Sequence, residues 1–159
     1  MLRNMASVYI FHRDQVLMLY RIGSRVVAPS WCGIGGHFEA EELNDPRRCV
    51  LRELWEETGI PEEALCNLAL RYISLRLKND EIRQNYFFFA DLQRSLPALP
   101  ACDEGILAWI PVQDVLGKDM PHSARACLAH YLETGRTDTR LYGGVATLAG
   151  VDFTVLSEF

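Results

Sequence analysis

The segment "NDPRRCVLRELWEETGI" carries the firmest local instructions in the chain: Asp45 can cap a helix start, Pro46 suits a first turn and Gly59 suits an exit. At roughly 100° per residue, Arg52, Glu53, Glu56 and Glu57 fall within an arc of about 140°, while Val50, Leu51, Leu54 and Trp55 occupy a separate arc. One face is expected to pack and the other to collect acid. Glu53 repels Glu56 at i,i+3 and Glu57 at i,i+4, at a cost of a few tenths, about 0.2–0.5 kcal/mol, per pair. The acids also occupy the C-terminal half of the helix, where the macrodipole disfavours negative charge. One arginine cannot neutralise three glutamates. A hard divalent cation such as Mg2+ can, because it prefers carboxylate oxygens and commonly bridges to phosphates. The alternative is a solvated acidic face, which is the commoner arrangement for such a cluster taken alone.

The rest of the chain alternates strand patterns with two long helices. "MASVYIFHRDQVLMLYRI" reads as a hairpin around Arg13-Asp14-Gln15. A loop containing Gly23, Pro29 and Ser30 leads to "WCGIGGHFE", a short strand rich in glycine. "ALRYISLRL" and "RQNYFFFADL" read as paired strands around "KNDEI", the second apolar on both faces and therefore central in its sheet. A strand follows at "ILAWI". In "MPHSARACLAHYLETG", Ala124, Cys127, Leu128, Tyr131 and Leu132 recur at helical spacing and predict a core-facing helix ending near Gly135. "YGGVATLAGVDFTVL" predicts a last pair of strands, which either complete the sheet within one chain or pair across a two-fold axis as a homodimer. This order predicts an α/β (α+β) fold with a mixed sheet covered by helices, and one domain over residues 1–159.

Composition excludes several classes of function. No apolar run approaches the ~20 residues needed to cross a bilayer, and the start lacks a basic segment followed by a long apolar one, which leads us to expect a soluble, cytoplasmic protein without a membrane partner. The five cysteines, Cys32, Cys49, Cys66, Cys102 and Cys127, are odd in number and form no CxxC pair, so reduced thiols are expected rather than disulfides or a zinc site. A net charge of −5 offers no basic stripe for long nucleic acid.

The order Gly36, five residues, Glu42, then Arg52-Glu53-Leu54-Trp55-Glu56-Glu57-Thr58-Gly59-Ile60 resembles the signature of the Nudix hydrolases, G-x5-E-x7-R-E-U-x-E-E-x-G-U with U aliphatic. All seven fixed residues of that signature are present, and a chance coincidence of that many, on the order of less than once in ten million starting points, outweighs the solvated-face reading. One departure stands out: nine residues, "LNDPRRCVL", separate Glu42 from Arg52 where the usual pattern has seven. They are expected to lengthen the loop before Asp45. The resemblance implies an α/β/α sandwich, a Mg2+ cofactor for which Mn2+ can substitute, and a small-molecule nucleotide substrate. The implied reaction is attack of water on a nucleoside diphosphate linked to another group. It further implies that Glu53, Glu56 and Glu57 are metal ligands, that Arg52 orients the glutamates, and that the Gly36 backbone approaches the metal closely. The general base varies among such enzymes; Glu56 ranks first, and Glu104, in "PACDEGILAW", ranks second as a carboxylate that can close over the site. The tail "MPHSARACLAHYLETG…LYGG" looks like that of members acting on nucleoside triphosphates, including oxidised ones such as 8-oxo-dGTP. Nucleotide sugars, ADP-ribose and dinucleoside polyphosphates stay open as substrates. So does a Nudix-like module that senses a nucleotide without hydrolysing it, although the intact glutamates favour turnover.

Other constellations point elsewhere and fail. "GIGGHF" has Phe38 where a dinucleotide fingerprint needs glycine, and no GxxxxGK[ST] loop exists. His37-Phe38-Glu39 begins a zinc deaminase signature, but no P-C-x-x-C follows. His37 is expected at a sheet edge or substrate pocket, and His12, His122 and His130 at the surface or at caps. Trp31, Phe87 and Tyr142 are expected to serve the core rather than to stack on a base.

Overall fold

The computed structural model describes residues 1–22, 28–96 and 98–158; Gly23 of the first loop lies outside the described residues. The predicted hairpin forms from β1 (Leu2–His12) and β2 (Gln15–Arg21), with Gln15 already paired to His12, so the turn is one residue shorter than expected. The glycine-rich stretch makes two strands rather than one. β3 (Ser30–Cys32) pairs with β2, and β4 (Ile34–His37) pairs antiparallel with β1, the chain changing neighbours at Gly33. β5 (Leu65–Lys78) and β6 (Glu81–Leu92) form a long hairpin whose two turn residues, Asn79 and Asp80, both have positive φ, as a tight hairpin turn requires. β7 (Gly105–Pro111) pairs with β2.

The sheet runs β3-β2-β1-β6-β5-β8-β9, with β4 attached to β1 and β7 to β2. β6 is central, as its two-sided apolarity predicts: it pairs parallel with β1 and antiparallel with β5. β8 (Leu141–Ala146) adds parallel to β5, and β9 (Val151–Leu156) follows antiparallel at the edge, so the terminal strands complete the sheet within the chain.

Alternation along these strands divides the core in two. Ala6, Val8, Ile10, Phe88 and Ala90 face α1 (Pro46–Thr58). Tyr9, Phe11, Phe87, Phe89, Tyr72 and Tyr142 face α3 (His122–Glu133), where they meet Ala124, Cys127 and Leu128. Phe87 and Tyr142 are thus core residues, as expected, and half-buried Trp31 packs on Tyr20. A single-turn helix, α2 (Val112–Val115), follows β7 and is too short to leave a periodicity in the sequence. All five cysteines are free, with Cys49 and Cys127 buried. No helix among the described residues is long and apolar enough to cross a membrane.

α1 obeys its punctuation. The Asp45 carboxylate accepts from the Arg48 N–H at 3.0 Å, Pro46 opens the first turn, and Gly59 adopts φ 64° and donates its N–H to the Trp55 carbonyl. Val50 and Leu54 pack against the sheet; fully burying a leucine contributes about 1.5–3 kcal/mol. Trp55 departs from the expected packing face and is 59% exposed. The helix rests mainly on β4 and β1, and Trp55 lies past the rim of that contact.

Candidate active site

The N-terminal half of the site is built by a fork. Between Gly36 and α1 the chain makes a 3-10 turn (Ala40–Glu42) that buries the Glu42 carboxylate to 1% exposure. Arg52 Nε donates to Glu42 Oε1 at 2.8 Å and Nη2 to Glu42 Oε2 at 2.9 Å, a bidentate pair. That bonding holds the Glu42 carboxyl well down, at about 2. Across the nine residues that separate them, Glu42 and Arg52 are thus held in direct contact.

The remaining Arg52 hydrogens reach forward. Nη1 donates to Glu53 Oε1 and to Glu56 Oε2, both at 2.9 Å, and Nη2 also donates to the His37 carbonyl at 3.1 Å. The orienting role expected for Arg52 thus has a geometry for Glu53 and Glu56. The Glu53 carboxylate lies against Gly36, where an added Cβ would sit 2.6 Å from it; any other residue would push this acid away from the β4 backbone. Burial raises the pKa of Glu53, partly offset by Arg52. Glu56 remains half-exposed at the helix surface.

Glu57 does not share this fork, and it is not on a solvated acid face. Its side chain is only 4% exposed, tucked between the helix end and the sheet. The Gly35 N–H donates to Oε2 at 3.0 Å, and Arg21 Nη2 donates to Oε1 at 3.2 Å. Burial pushes the Glu57 pKa to about 8 in spite of Arg21, and Glu104 adds to the rise. The same Arg21 Nη2 lies 2.7 Å from Glu104 Oε2 and donates to the Gly35 carbonyl at 3.1 Å. Glu104, predicted to close over the site, is therefore gathered into it.

Arg21 is the site residue that sequence reasoning missed. It ends β2, where pairing with Gly105 of β7 sets it beside Glu104, and it meets Glu57 from 36 positions away in sequence. No spacing along the chain encodes these meetings: the antiparallel pairing of β2 with β7 brings Arg21 to Glu104, and the packing of α1 on the sheet brings it to Glu57. His37, at the exposed end of β4, enters through its carbonyl.

Four carboxylates, those of Glu53, Glu56, Glu57 and Glu104, thus converge on two guanidiniums, of which Arg52 is already occupied by Glu42. Among the described residues no three acid, imidazole or thiol groups stand as a finished metal cage. The donor set nonetheless fits a hard cation: carboxylate oxygens in excess of positive charge, one of them buried, beside a β4 backbone kept open by Gly36. Such an arrangement can bind divalent metal and, through it, phosphate.

A family model described as NUDIX domain matches residues 1–131. Among solved structures, the chain is similar to the mutator MutT protein from Bacillus halodurans, at 26% identity over 98% of this chain and 95% of that one, with a TM-score of 0.67. It also resembles a MutT NUDIX hydrolase from Burkholderia pseudomallei (23% identity, 81% and 97% covered, TM-score 0.62). An Ap4A hydrolase from C. elegans shares the fold at 15% identity (86% and 98% covered, TM-score 0.67).

Proposed function

This chain belongs to the Nudix family, and from that premise we propose that it is a Mg2+-dependent pyrophosphohydrolase that cleaves a nucleoside triphosphate to a nucleoside monophosphate and pyrophosphate. The class of enzyme follows from the family, whose members use divalent metal and act on small nucleotides. The nucleoside triphosphate, including oxidised purine forms such as 8-oxo-dGTP, is our own choice within that class, supported by the resemblance to MutT over nearly the whole chain. Residues 1–159 are taken as one domain, since β8 and β9, beyond the matched residues, extend the same sheet. The free thiols suit a reducing cytoplasm.

The observation that carries the reading is the surplus of carboxylates around Arg21 and Arg52. Glu53, Glu56 and Glu57 would hold Mg2+, with Mn2+ able to replace it, and the Gly36 backbone leaves room for it. Bound metal would neutralise the diphosphate and activate water. Arg52 keeps Glu53 and Glu56 turned toward the site, and Arg21 does the same for Glu57 and Glu104. Glu56, half-exposed at the helix surface, is the first candidate to accept the proton of the attacking water, and Glu104 the second. The test is release of phosphate or pyrophosphate from a nucleotide panel with and without Mg2+. Metal-dependent product from a nucleoside triphosphate is expected; tight nucleotide binding with no product from any diphosphate would mark a sensor instead.

A further inference from the structure

Beside α1, the same face of the sheet is left open. The helix rests mainly on β4 and β1, while the end of β5, the start of β6, β8 and β9 meet no helix on that side among the described residues. Register places Leu77 beside Ile82, Ile82 beside Leu2, and Leu75 beside Val145. Strand alternation puts all of these on the side of Val8 and Phe88, which face α1, and Leu156 joins them through its pairing with Leu141. Leu2, Leu75, Leu77, Ile82, Val145 and Leu156 are exposed, Leu77 to 71% and Val145 to 56%.

A sheet face that meets water is ordinarily the polar one. Here the pattern is reversed. The other side of these strands carries Arg3, Arg83 and Arg76 in register with one another, whereas the open side, over residues 73–77, 82–86, 141–145 and 152–156, has Asp152 of edge strand β9 as its one charged residue. The exposed aliphatic side chains together leave roughly 500 Å2 of apolar surface, near the top of the ~300–600 Å2 typical of the largest patch on a monomer.

Area, charge and thickness all point to a second copy of this chain as the occupant. Two such faces in contact remove about 1,000 Å2 from water, the size at which a contact becomes a specific interface. Each chain carries a net charge of −5, so two copies meet best across a surface nearly free of charge, as this one is. Nucleic acid or an anionic membrane would instead need basic residues, which this face lacks. Sheets pack face to face at about 10 Å, close to the diameter of a helix, so a second sheet fits into the layer that α1 fills over β4 and β1. A two-fold contact is self-complementary, and an aliphatic face meets its own image with no unpaired charge at the centre.

We propose that the open face formed by β5, β6, β8 and β9 is a homodimer interface, in which the sheets of two copies pack face to face about a two-fold axis beside α1. The terminal strands complete the sheet within one chain through their backbone and offer the second copy their side chains rather than their edge. Dimerisation of this kind goes beyond the hydrolytic reading and does not depend on it.

Sedimentation equilibrium of the full chain between about 1 and 300 µM tests it, with a micromolar dimer expected. Leu77→Glu and Val145→Glu each bring two carboxylates into the contact and should weaken the dimer by about a hundredfold. Gln15→Glu, which adds the same charge at the exposed start of β2, should leave it unchanged. Hydroxyl-radical footprinting of the unaltered chain gives a readout that needs no variant to fold. Labelling of Leu75 and Ile82 should be severalfold lower in dimeric than in monomeric samples, while Ile106, exposed on the opposite side of the sheet, is labelled equally in both. A chain that stays monomeric throughout would overturn the homodimer and leave the face to a different partner. A dimer that survives both substitutions, or that leaves Leu75 and Ile82 as reactive as in the monomer, would also overturn it and move the contact to another surface, such as the edge of β9.

Discussion

Arg52 and Arg21 each gather carboxylates, but to opposite electrostatic ends. Arg52 forks onto Glu42, and the pair is so well bonded that Glu42 stays ionised down to a pKa of about 2. Arg21 is divided between Glu57, Glu104 and a backbone carbonyl, and buried Glu57 rises to about 8. The Arg52–Glu42 pair is satisfied within the protein and serves as scaffold, whereas Glu57 and Glu104 share one divided guanidinium and are left short of positive charge. The helix that looked uniformly acidic is therefore two devices on adjacent turns.

The sharpest way to break that contrast is Glu57→Gln. Size and helix propensity are kept while the anionic oxygen is removed, so Mg2+-dependent turnover should drop on the order of a thousandfold. The melting temperature at neutral pH should hold, because Glu57 is already reluctant to carry its charge. Steady-state hydrolysis alongside thermal unfolding checks both halves. Full activity would mean that the under-compensated carboxylate is not a metal ligand.

Removing the arginines should separate scaffold from site. Arg52→Ala strands Glu42, which is buried and has lost its only guanidinium, and a broken buried pair costs about 3–5 kcal/mol. Arg21→Ala should cost about 1 kcal/mol, since Arg21 is 37% exposed and Glu57 can take up a proton instead. Urea unfolding of both variants at pH 7 measures the difference. Equal losses would erase the distinction between the two clusters.

How much of this was legible in the sequence follows the same division. The Arg52 cluster is written within one helix and the turn before it, so residue types at fixed spacing disclose Glu53, Glu56, Glu42 and Gly36 together. The Asp45 cap, Pro46 and Gly59 similarly set the bounds of α1, and the apolar run Phe87–Phe89 placed β6 at the centre of the sheet. The Arg21 cluster depends on the β2–β7 pairing, which joins residues more than 80 positions apart, and no local pattern states which strands will be neighbours. The split of the glycine stretch into β3 and β4 was hidden for the same reason: it records a change of partner, not of composition.

Acid provides a test that isolates the satisfied cluster. The folded pKa of Glu42 lies below its unfolded value, so its contribution to stability is fully present above pH ~4.5 and is lost as pH falls through about 2. A shift of that size corresponds to about 3 kcal/mol. Glu42→Gln should be less stable at pH 7 and should lose less between pH 5 and pH 2 than wild type, as followed by urea midpoints across that range. Parallel curves for the two proteins would mean that the Arg52 fork does not hold Glu42 in its ionised form.

The smallest expected effect bears on the helix face that joins the two clusters. Leu54 and Trp55 are consecutive, and a helical wheel puts both on the apolar arc, yet Leu54 is buried to 1% exposure and Trp55 is left 59% exposed. Because Trp55 is mostly exposed beyond the contact that α1 makes with β4 and β1, truncating it opens no buried cavity. Trp55→Ala should therefore change stability by no more than about 0.5 kcal/mol, as measured by urea unfolding, the range of substitutions away from packed features. A loss of several kcal/mol would show that the indole covers part of the core after all, and would return Trp55 to the packing face that periodicity alone assigns to it.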